Sequence, residues 1–235
     1  MNSLQEAAEI KLANYRVARR RRTVVDVDSL RFGLGSHVLA GANGSGKSSL
    51  LKAIAGLLHS SGEVTVGGRA AEEIPGRGVA YLPQDSHGLE HLSVLDAVRY
   101  AQHATRSPGS ADEWVAAVDM TDRATRRIGS LSGGERRLAY LAMLLSQDVP
   151  VLLLDEPTAG LDASHRVALR RALRVAAQSR VVITASHVAD DLDDLGDRVV
   201  VLSAGRVVFD GAGEQLVTST PAGTWDAALM AVEGA

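Results

Sequence analysis

The chain has 235 residues, of which 46% are hydrophobic and 3% aromatic, so it can form one large domain with an aliphatic core. Its formal net charge of −3 gives no global attraction to nucleic acid. The sequence has no cysteine, which excludes disulfides and thiolate metal sites and is compatible with a reducing cytosol. Residues 1–10 lack a signal-peptide pattern, and no apolar run approaches the ~20 residues of a membrane helix. We therefore expect a soluble chain that reaches a membrane only through a partner.

The sequence of the first third of the chain predicts mainly strands. Two alternating segments rich in β-branched residues, 9–18 and 23–32, predict two strands joined by four consecutive arginines, 19–22. Such a run favours a solvated hairpin turn, and contact with anionic lipid headgroups is the alternative. The elements predicted next are a strand over 36–40, a helix over 47–58 and strands over 63–66 and 78–83.

The middle of the chain changes to helical periodicity, from Ser93 to Ser146. Residues from about 85 to 150 therefore predict a helical subdomain inserted between two parts of an α/β core, 1–84 and 151–235, within a single domain. The elements predicted after it are a strand over 151–154, a helix over 163–177, a strand over 181–185, a short helix over 188–195, a hairpin-like pair over 199–202 and 206–209, and a helical tail over 214–235.

A glycine-rich loop joins the predicted strand at 36–40 to the helix that follows it. Its spacing, G-x-x-x-x-G-K-[ST], is that of a phosphate-binding loop, in which backbone N–H groups surround an anion at the positive end of a helix dipole. Lys47 would add a charge for the terminal phosphates, and Ser48 a hydroxyl for a metal ion. A glycine-rich turn with a solvated lysine is the alternative. The loop consists of Gly41, Ala42, Asn43, Gly44, Ser45, Gly46, Lys47, Ser48 and Ser49.

Two acids follow the apolar strand predicted at 151–154. A wholly apolar run is typical of a central parallel strand, and α/β proteins place ligand chemistry at the carboxyl ends of such strands. Asp155 suits a magnesium ion, held through water, with Ser48 as the direct ligand. Glu156 is placed to act as a general base on an attacking water. A charged strand end, stopped by Pro157, is the alternative.

The segment Leu131-Ser132-Gly133-Gly134-Glu135 predicts a second helix start that can bind an anion. Ser132 is a good N-cap, and the two glycines leave backbone N–H groups bare. A capped helix with a flexible entry loop is the alternative. That alternative explains Ser132 but not two adjacent glycines, which weaken the first turn.

Together these motifs resemble those of the ATP-binding subunits of ABC transporters. Residues 41–49 resemble Walker A, residues 151–156 resemble Walker B with its catalytic glutamate, and residues 131–135 match the signature LSGGE. The other matches are Gln84 with the Q-loop glutamine, Asp162 with the D-loop and His187 with the switch histidine. By themselves Gln84 and His187 would be taken for ordinary polar residues.

The resemblance implies an α/β fold with a P-loop NTPase core, which is a mostly parallel sheet flanked by helices. It also implies an N-terminal antiparallel β-subdomain and an inserted α-helical subdomain that carries LSGGE. The implied activity is Mg²⁺-dependent hydrolysis of ATP, coupled to transport through separate transmembrane permease subunits. The chain would then be cytoplasmic and peripheral on the inner face of the cell membrane, with residues 85–100 expected to contact the permease.

The resemblance also assigns roles to residues. Lys47, Glu156 and His187 would be catalytic, and Ser48 and Gln84 would ligate Mg²⁺ with support from Asp155. Nucleotide would lie against the loop at 41–49. In the family's head-to-tail dimer, the nucleotide of one subunit also meets the signature and D-loop of a second ATPase subunit, which here are Ser132, Gly133, Gly134 and Asp162.

The adenine site departs from the family pattern. The usual aromatic ring falls here on residues 17–19, and Tyr15 is the nearest ring. Tyr15, an arginine plane or no residue at all could stack on the base. Two smaller departures are Ser49, where many members have threonine, and Val188, where an acid is common after the histidine.

Two other classes of protein compete with the transporter hypothesis. The first is a soluble ABC-type ATPase that acts on nucleic acid or ribosomes; the acidic balance and the absence of a long coiled coil or a second cassette count against it. No nucleic-acid partner is therefore expected. An unrelated P-loop kinase would leave LSGGE unexplained.

Overall fold

The computed structural model describes residues 9–20, 22–187, 197–218 and 224–233, and the helix predicted over 188–195 lies outside them. In this part of the chain the strands are β1 Ile10–Arg19, β2 Arg22–Phe32, β3 Gly35–Ala40, β4 Ser60–Val66, β5 Arg69–Ala70, β6 Val79–Leu82, β7 Val151–Asp155, β8 Val181–Ala185, β9 Arg198–Ser203 and β10 Arg206–Gly211. Its α-helices are α1 Lys47–Ile54, α2 Val94–Thr105, α3 Ala111–Ala117, α4 Gly133–Leu145, α5 Ala163–Ala177, α6 Gly213–Thr218 and α7 Trp225–Glu233.

A four-stranded antiparallel sheet, ordered β2-β1-β4-β5 within the described residues, opens the chain. Its apolar side chains, such as Ile10, Leu12 and Val64, pack with Leu50 and Ile54 of α1 in one buried cluster. The described arginines of the 19–22 run are exposed at the turn between β1 and β2, as the hairpin prediction required.

The second sheet of the described chain has six strands in the order β10-β9-β3-β8-β7-β6. All neighbours are parallel except β10, which pairs antiparallel with β9 and forms an edge. Every residue of β7 and β8 is buried, because helices cover one face and α1 with the antiparallel sheet covers the other. The α/β class predicted from the sequence is confirmed.

The register of the parallel strands places three chain segments side by side. Asp155 at the end of β7 pairs with Ala185 at the end of β8, and Ala185 pairs with Leu39 of β3. Because parallel strands end at the same edge, the segments that follow β3, β7 and β8 all leave the sheet together. This edge is where the site forms.

The helix after β3 is shorter than predicted, since α1 ends at Ile54 and not at residue 58. Gly56 adopts φ 76°, and the N–H groups of Gly56 and Leu57 bond back to the carbonyls of Ala53 and Lys52. These two bonds form a Schellman motif, which stops a helix. Glycine supplies the left-handed conformation at low cost, so residue 56 decides where α1 ends.

Three helices, α2, α3 and α4, lie between β6 and β7 in the sequence and share a buried cluster that includes Val98, Val115 and Leu141. The side chains of Ser93 and Ser110 cap α2 and α3 by accepting from the N–H groups of Asp96 and Asp112. The boundary of a helical subdomain at 85–150 stays a prediction. None of the helices in the described ranges is long and apolar enough to cross a bilayer.

Candidate functional site

The loop between β3 and α1 is held by backbone contacts that only glycine allows. Gly41 adopts φ 141°, and a Cβ atom there would lie 2.3 Å from the carbonyl oxygen of Leu202. Gly46 adopts φ 113° at the N-cap of α1, where a Cβ atom would lie 2.9 Å from the carbonyl oxygen of Val24. The loop therefore lies against both β2 and the end of β9, with its N–H groups at the start of α1.

Lys47 is buried although it carries a charge. Its Nζ donates to the carbonyl oxygens of Gly41, at 2.6 Å, and Ala42, at 3.1 Å, so the ammonium lies over the loop. The hydroxyl of Ser45 is also buried and has no hydrogen-bond partner among the described residues. A cation and an unpaired hydroxyl inside one loop are what a bound phosphate needs.

Asp155 lies next to this loop. Its Oδ1 accepts a hydrogen bond from the hydroxyl of Ser48 at 2.8 Å, although the two residues are 107 positions apart in the chain. Its Oδ2 accepts from the hydroxyl of Tyr81 on β6 at 3.1 Å. Burial raises the pKa of Tyr81, and the nearby Asp155 raises it further, so this hydroxyl stays protonated and donates. Sequence reasoning missed Tyr81, because pairing of β6 with β7 has no local signal.

Glu156 occupies a constrained position after β7. Its backbone adopts φ 48°, in the left-handed region, and its N–H donates to the carbonyl of Ala185 at 2.9 Å. Its Oε1 accepts from Nδ1 of His187 at 2.7 Å, while Oε2 is buried with no hydrogen-bond partner among the described residues. Left-handed non-glycine residues held by their surroundings occur often at functional sites. One free, buried carboxylate oxygen is available for a water or substrate.

Gln84 follows β6, and its side chain is exposed. Its carbonyl accepts from Arg137 at 3.0 Å, which fixes the backbone there. Within the described residues its side chain makes no hydrogen bond to Ser48 or Asp155, so its role as a metal ligand stays a prediction.

The segment 131–135 folds as a capped helix start. The Ser132 hydroxyl accepts from the N–H of Glu135 at 3.2 Å, and a Glu135 carboxylate oxygen accepts from the N–H of Ser132 at 2.9 Å, which together form a capping box. Glu135 also pairs with Arg123 at 2.9 Å. The Ser132 N–H and the Arg123 side chain lower the pKa of Glu135 to about 2.

Gly133 and Gly134 differ in their surroundings. A Cβ atom on Gly133 would meet open space, whereas one on Gly134 would lie 2.9 Å from Nδ1 of His165. His165 belongs to the first turn of α5, which is capped by Asp162 through a 2.9 Å bond from the His165 N–H. The start of α4 thus lies against the first turn of α5.

The structure therefore sorts the predicted site residues into two groups. The loop at 41–49, Asp155, Glu156 and His187 meet at the carboxyl edge of the six-stranded sheet. The described contacts of Ser132, Gly134 and Asp162 lie within and between the starts of α4 and α5.

Tyr15 does not provide an adenine-stacking ring. It is 1% exposed and packs in the cluster under the antiparallel sheet. Alternation along β1 places Tyr15 and Val17 on the inner face and Arg16 on the outer face. Of the three alternatives for stacking on the base, an arginine plane and no residue at all remain.

Sequence comparison gives the same family as the motifs. A family model described as "ABC transporter" matches residues 29–159, which is more than half of the chain. A hemin import ATP-binding protein of Nocardia farcinica is 36% identical over 229 residues, covering 84% of this chain and 74% of that protein. A cobalamin import ATP-binding protein of Halobacterium salinarum is 36% identical over 194 residues, covering 77% of this chain. The chain spans about half (49%) of the length of that second relative.

Structural comparison agrees on the fold. A solved structure of an ATP-binding subunit of an ABC transporter superposes with a TM-score of 0.82 at 20% identity, covering 95% of this chain and 98% of that one. At this identity the match shows the fold alone. The family model and the hemin import relative go further: the chain belongs to the ABC transporter family.

Proposed function

We propose that this chain binds and hydrolyses ATP and thereby energises transport through separate membrane permease subunits. The observation that carries the proposal is the hydrogen bond between Ser48 and Asp155. It joins a phosphate-binding loop to the end of the strand that bears two acids, which is the arrangement that nucleotide hydrolysis needs.

The loop would hold the phosphates of ATP. The N–H groups at the start of α1 would donate to the anion, and Lys47 lies over the loop at 2.6 Å from the carbonyl of Gly41. Its ammonium would exchange these carbonyls for phosphate oxygens, which are stronger acceptors. The unpaired hydroxyl of Ser45 would gain a partner in the same event.

The residues beside the loop fit a magnesium ion. Ser48 and Asp155 present oxygen atoms, which magnesium prefers, and they are already within 2.8 Å of each other. When bound, Mg²⁺ would neutralise charge on the phosphates. Ser48 would be the direct ligand, Asp155 would act through water, and Gln84 is the further ligand that the family resemblance assigns.

Glu156 and His187 would act on water and the terminal phosphate. The free Oε2 of Glu156 is the acceptor on this carboxylate with no partner among the described residues, so it would orient an attacking water and accept its proton. His187 holds the other oxygen at 2.7 Å and is 44% exposed, and its second ring nitrogen, once protonated, would donate to a phosphate oxygen.

A second subunit would complete the site. Gly133 and Gly134 carry the first N–H groups of α4, which the loop of the same chain does not use, and Asp162 caps the neighbouring helix α5. The N–H of Ser132 is already donated to Glu135, so Ser132 would offer its hydroxyl hydrogen. In a head-to-tail dimer these groups would close on nucleotide held by the partner. Because both relatives are named import proteins, we propose that the transporter is an importer. The permease would select the substrate, and this chain would bind the permease at the inner face of the cell membrane.

The test is Glu156→Gln, which keeps the shape of the side chain and removes its basicity. We expect ATP binding, measured with a fluorescent analogue, within about threefold of wild type, and phosphate release lowered by at least about a hundredfold. Light scattering should show an ATP-dependent dimer. The matched control is Glu214→Gln on the exposed surface of α6.

Wild-type turnover in Glu156→Gln would refute the assignment of the base. Affinity purification from native membranes would test the partner. A permease in the purified complex supports transport, and ribosomes or nucleic acid there would support the alternative of a soluble ATPase.

A further inference from the structure

A buried arginine on the signature helix holds the two catalytic segments together. Arg137 is on α4, about one helical turn after Gly134, and the residue is 8% exposed. Nothing in the sequence separates it from its neighbour Arg136, and sequence reasoning assigned it no role.

The guanidinium of Arg137 donates to five backbone carbonyls from two separate segments. After β6 these are the carbonyls of Pro83 at 2.5 Å and Gln84 at 3.0 Å. After β7 they belong to Asp155 at 2.7 Å, Glu156 at 3.1 Å and Pro157 at 3.2 Å. All five of these hydrogen bonds go to backbone, so the side chain fixes the path of both segments.

This pattern uses the full donor set of the side chain. Arginine offers five N–H groups in a rigid planar fork, whereas lysine offers one ammonium on a flexible stem. A buried charge is stable only when its donors are satisfied, and here each carbonyl gains a charged donor in place of water. Burial lowers the pKa of Arg137 to about 10, so the group remains charged at neutral pH.

The contacts link α4 to a residue with a constrained backbone. Glu156 adopts φ 48°, its N–H donates to the carbonyl of Ala185, and its own carbonyl accepts from Arg137 and from the N–H of Ala159. Removal of the Arg137 donor would leave this carbonyl with the weaker, 3.2 Å bond from Ala159 alone. Glu156 could then relax toward a common backbone conformation and move its carboxylate away from the loop.

We propose that Arg137 is a positioning residue that couples the start of α4, with Ser132 and Gly134, to the backbone of Gln84 and Glu156. This inference rests on the proposed function. A shift of α4 caused by nucleotide on a partner subunit would move the Q-loop and the catalytic carboxylate of the same chain together. Binding of the partner's nucleotide to the signature would thus change the position of the catalytic carboxylate in this chain's own site.

The structure offers a matched control. Arg180 is a half-buried arginine, and it donates to the carbonyls of Leu145, the last residue of α4, and Gln147, just beyond that end, at 2.9 and 3.0 Å. It also stacks on Trp114 at 5.6 Å. Arg180→Met and Arg137→Met remove the same chemical group and keep a similar volume. The carbonyls that lose a donor belong to the candidate site in Arg137→Met, whereas in Arg180→Met they lie outside it.

The first experiment is hydrogen exchange on the ATP-free chain. In Arg137→Met we expect amides over 83–88 and 155–161 to exchange at least about tenfold faster than in wild type, because carbonyls that anchor both segments lose a charged donor. In Arg180→Met these segments should keep wild-type rates. Wild-type rates in Arg137→Met would overturn the proposal, whether or not the chain hydrolyses ATP.

The second experiment measures steady-state ATP hydrolysis. Arg137→Met should lower kcat by about 10- to 100-fold with KM changed by less than about threefold, since a small displacement of a catalytic group costs rate more than binding. Arg137→Lys should recover part of kcat, and Arg180→Met should keep it. A wild-type kcat in Arg137→Met would overturn the proposal. An inactive wild-type chain would instead refute the proposed function, and the exchange result would still decide the role of Arg137.

Discussion

The Nδ1 atom of His187 lies 2.7 Å from Oε1 of Glu156, so the residue after β8 holds the residue after β7. Glu156 is buried and its other carboxylate oxygen has no hydrogen-bond partner in the described chain. Since a carboxylate only accepts, Nδ1 carries the proton in this contact. His187 therefore fixes the orientation of the Glu156 carboxylate.

Replacement of this histidine should reduce the rate of ATP hydrolysis more than the affinity for ATP. His187→Ala should lower kcat for ATP hydrolysis by about a hundredfold, because Glu156 loses the partner that orients it. Affinity for a fluorescent ATP analogue should stay within about threefold. His59→Ala, which changes an exposed histidine, is the control. Equal losses of affinity and rate in His187→Ala would contradict the positioning role.

The pair Ser48 and Asp155 should set the magnesium requirement. Asp155→Asn keeps an acceptor for the Ser48 hydroxyl but loses the charge, so the Mg²⁺ concentration for half-maximal hydrolysis should rise about tenfold. Tyr81→Phe removes only the hydroxyl that donates to the other carboxylate oxygen of Asp155. It should raise this Mg²⁺ concentration by about threefold. Mg²⁺ titrations of the three proteins check this order. An unchanged midpoint in Asp155→Asn would remove Asp155 from the metal site.

The two signature glycines should respond differently to alanine. Gly133→Ala meets open space and should leave the thermal midpoint within about 2 °C of wild type. Gly134→Ala places a Cβ atom 2.9 Å from Nδ1 of His165 and should lower the midpoint by several degrees.

A double variant separates the steric effect from helix propensity. His165→Ala in the Gly134→Ala background removes the clashing ring, so it should restore part of the lost midpoint. Differential scanning fluorimetry on the four proteins measures this coupling. Simple additivity of the two single changes would contradict the contact between α4 and α5.

Glu135 should stabilise the fold in a pH-dependent way. Its folded pKa is lowered to about 2 by the Ser132 N–H and Arg123, so its contribution is present above the unfolded value near 4.5 and is lost as the pH falls toward 2. Glu135→Gln should lower the thermal midpoint at pH 7 by about 2 °C, as expected for a partly exposed ion pair. The difference between the two proteins should shrink from pH 4.5 downward. A constant difference across that range would show that the carboxylate charge plays no part.

The strands and helices were largely predictable from the sequence because each depends on local pattern. Alternation along β1 and β2, the wholly apolar β7 and the helical period of α5 all have local signals, and the strands predicted in the described ranges do form. The end of α1 was predicted too late, since the left-handed conformation of Gly56 depends on two backbone bonds and not on the apolar period.

Part of the candidate site was also predictable from local sequence. The loop at 41–49 and the segment at 131–135 have fixed spacings, because consecutive N–H groups must face one anion, and fixed spacing is visible in a sequence. The acids at 155 and 156 were found because a parallel strand ends there.

Tertiary structure decided the contacts between segments far apart in the chain. Side-chain alternation in a packed sheet buries Tyr15 and removes it from the adenine site, and strand pairing brings Tyr81 to Asp155. The position of Arg137 against the segments that follow β6 and β7 depends on how α4 packs beside them, and no local pattern distinguishes Arg137 from Arg136. The sequence by itself determined which groups could bind a nucleotide, because short motifs encode backbone shape. Packing determined which residues hold those groups in place, because a buried hydrogen bond depends on the approach of chain segments that the sequence separates.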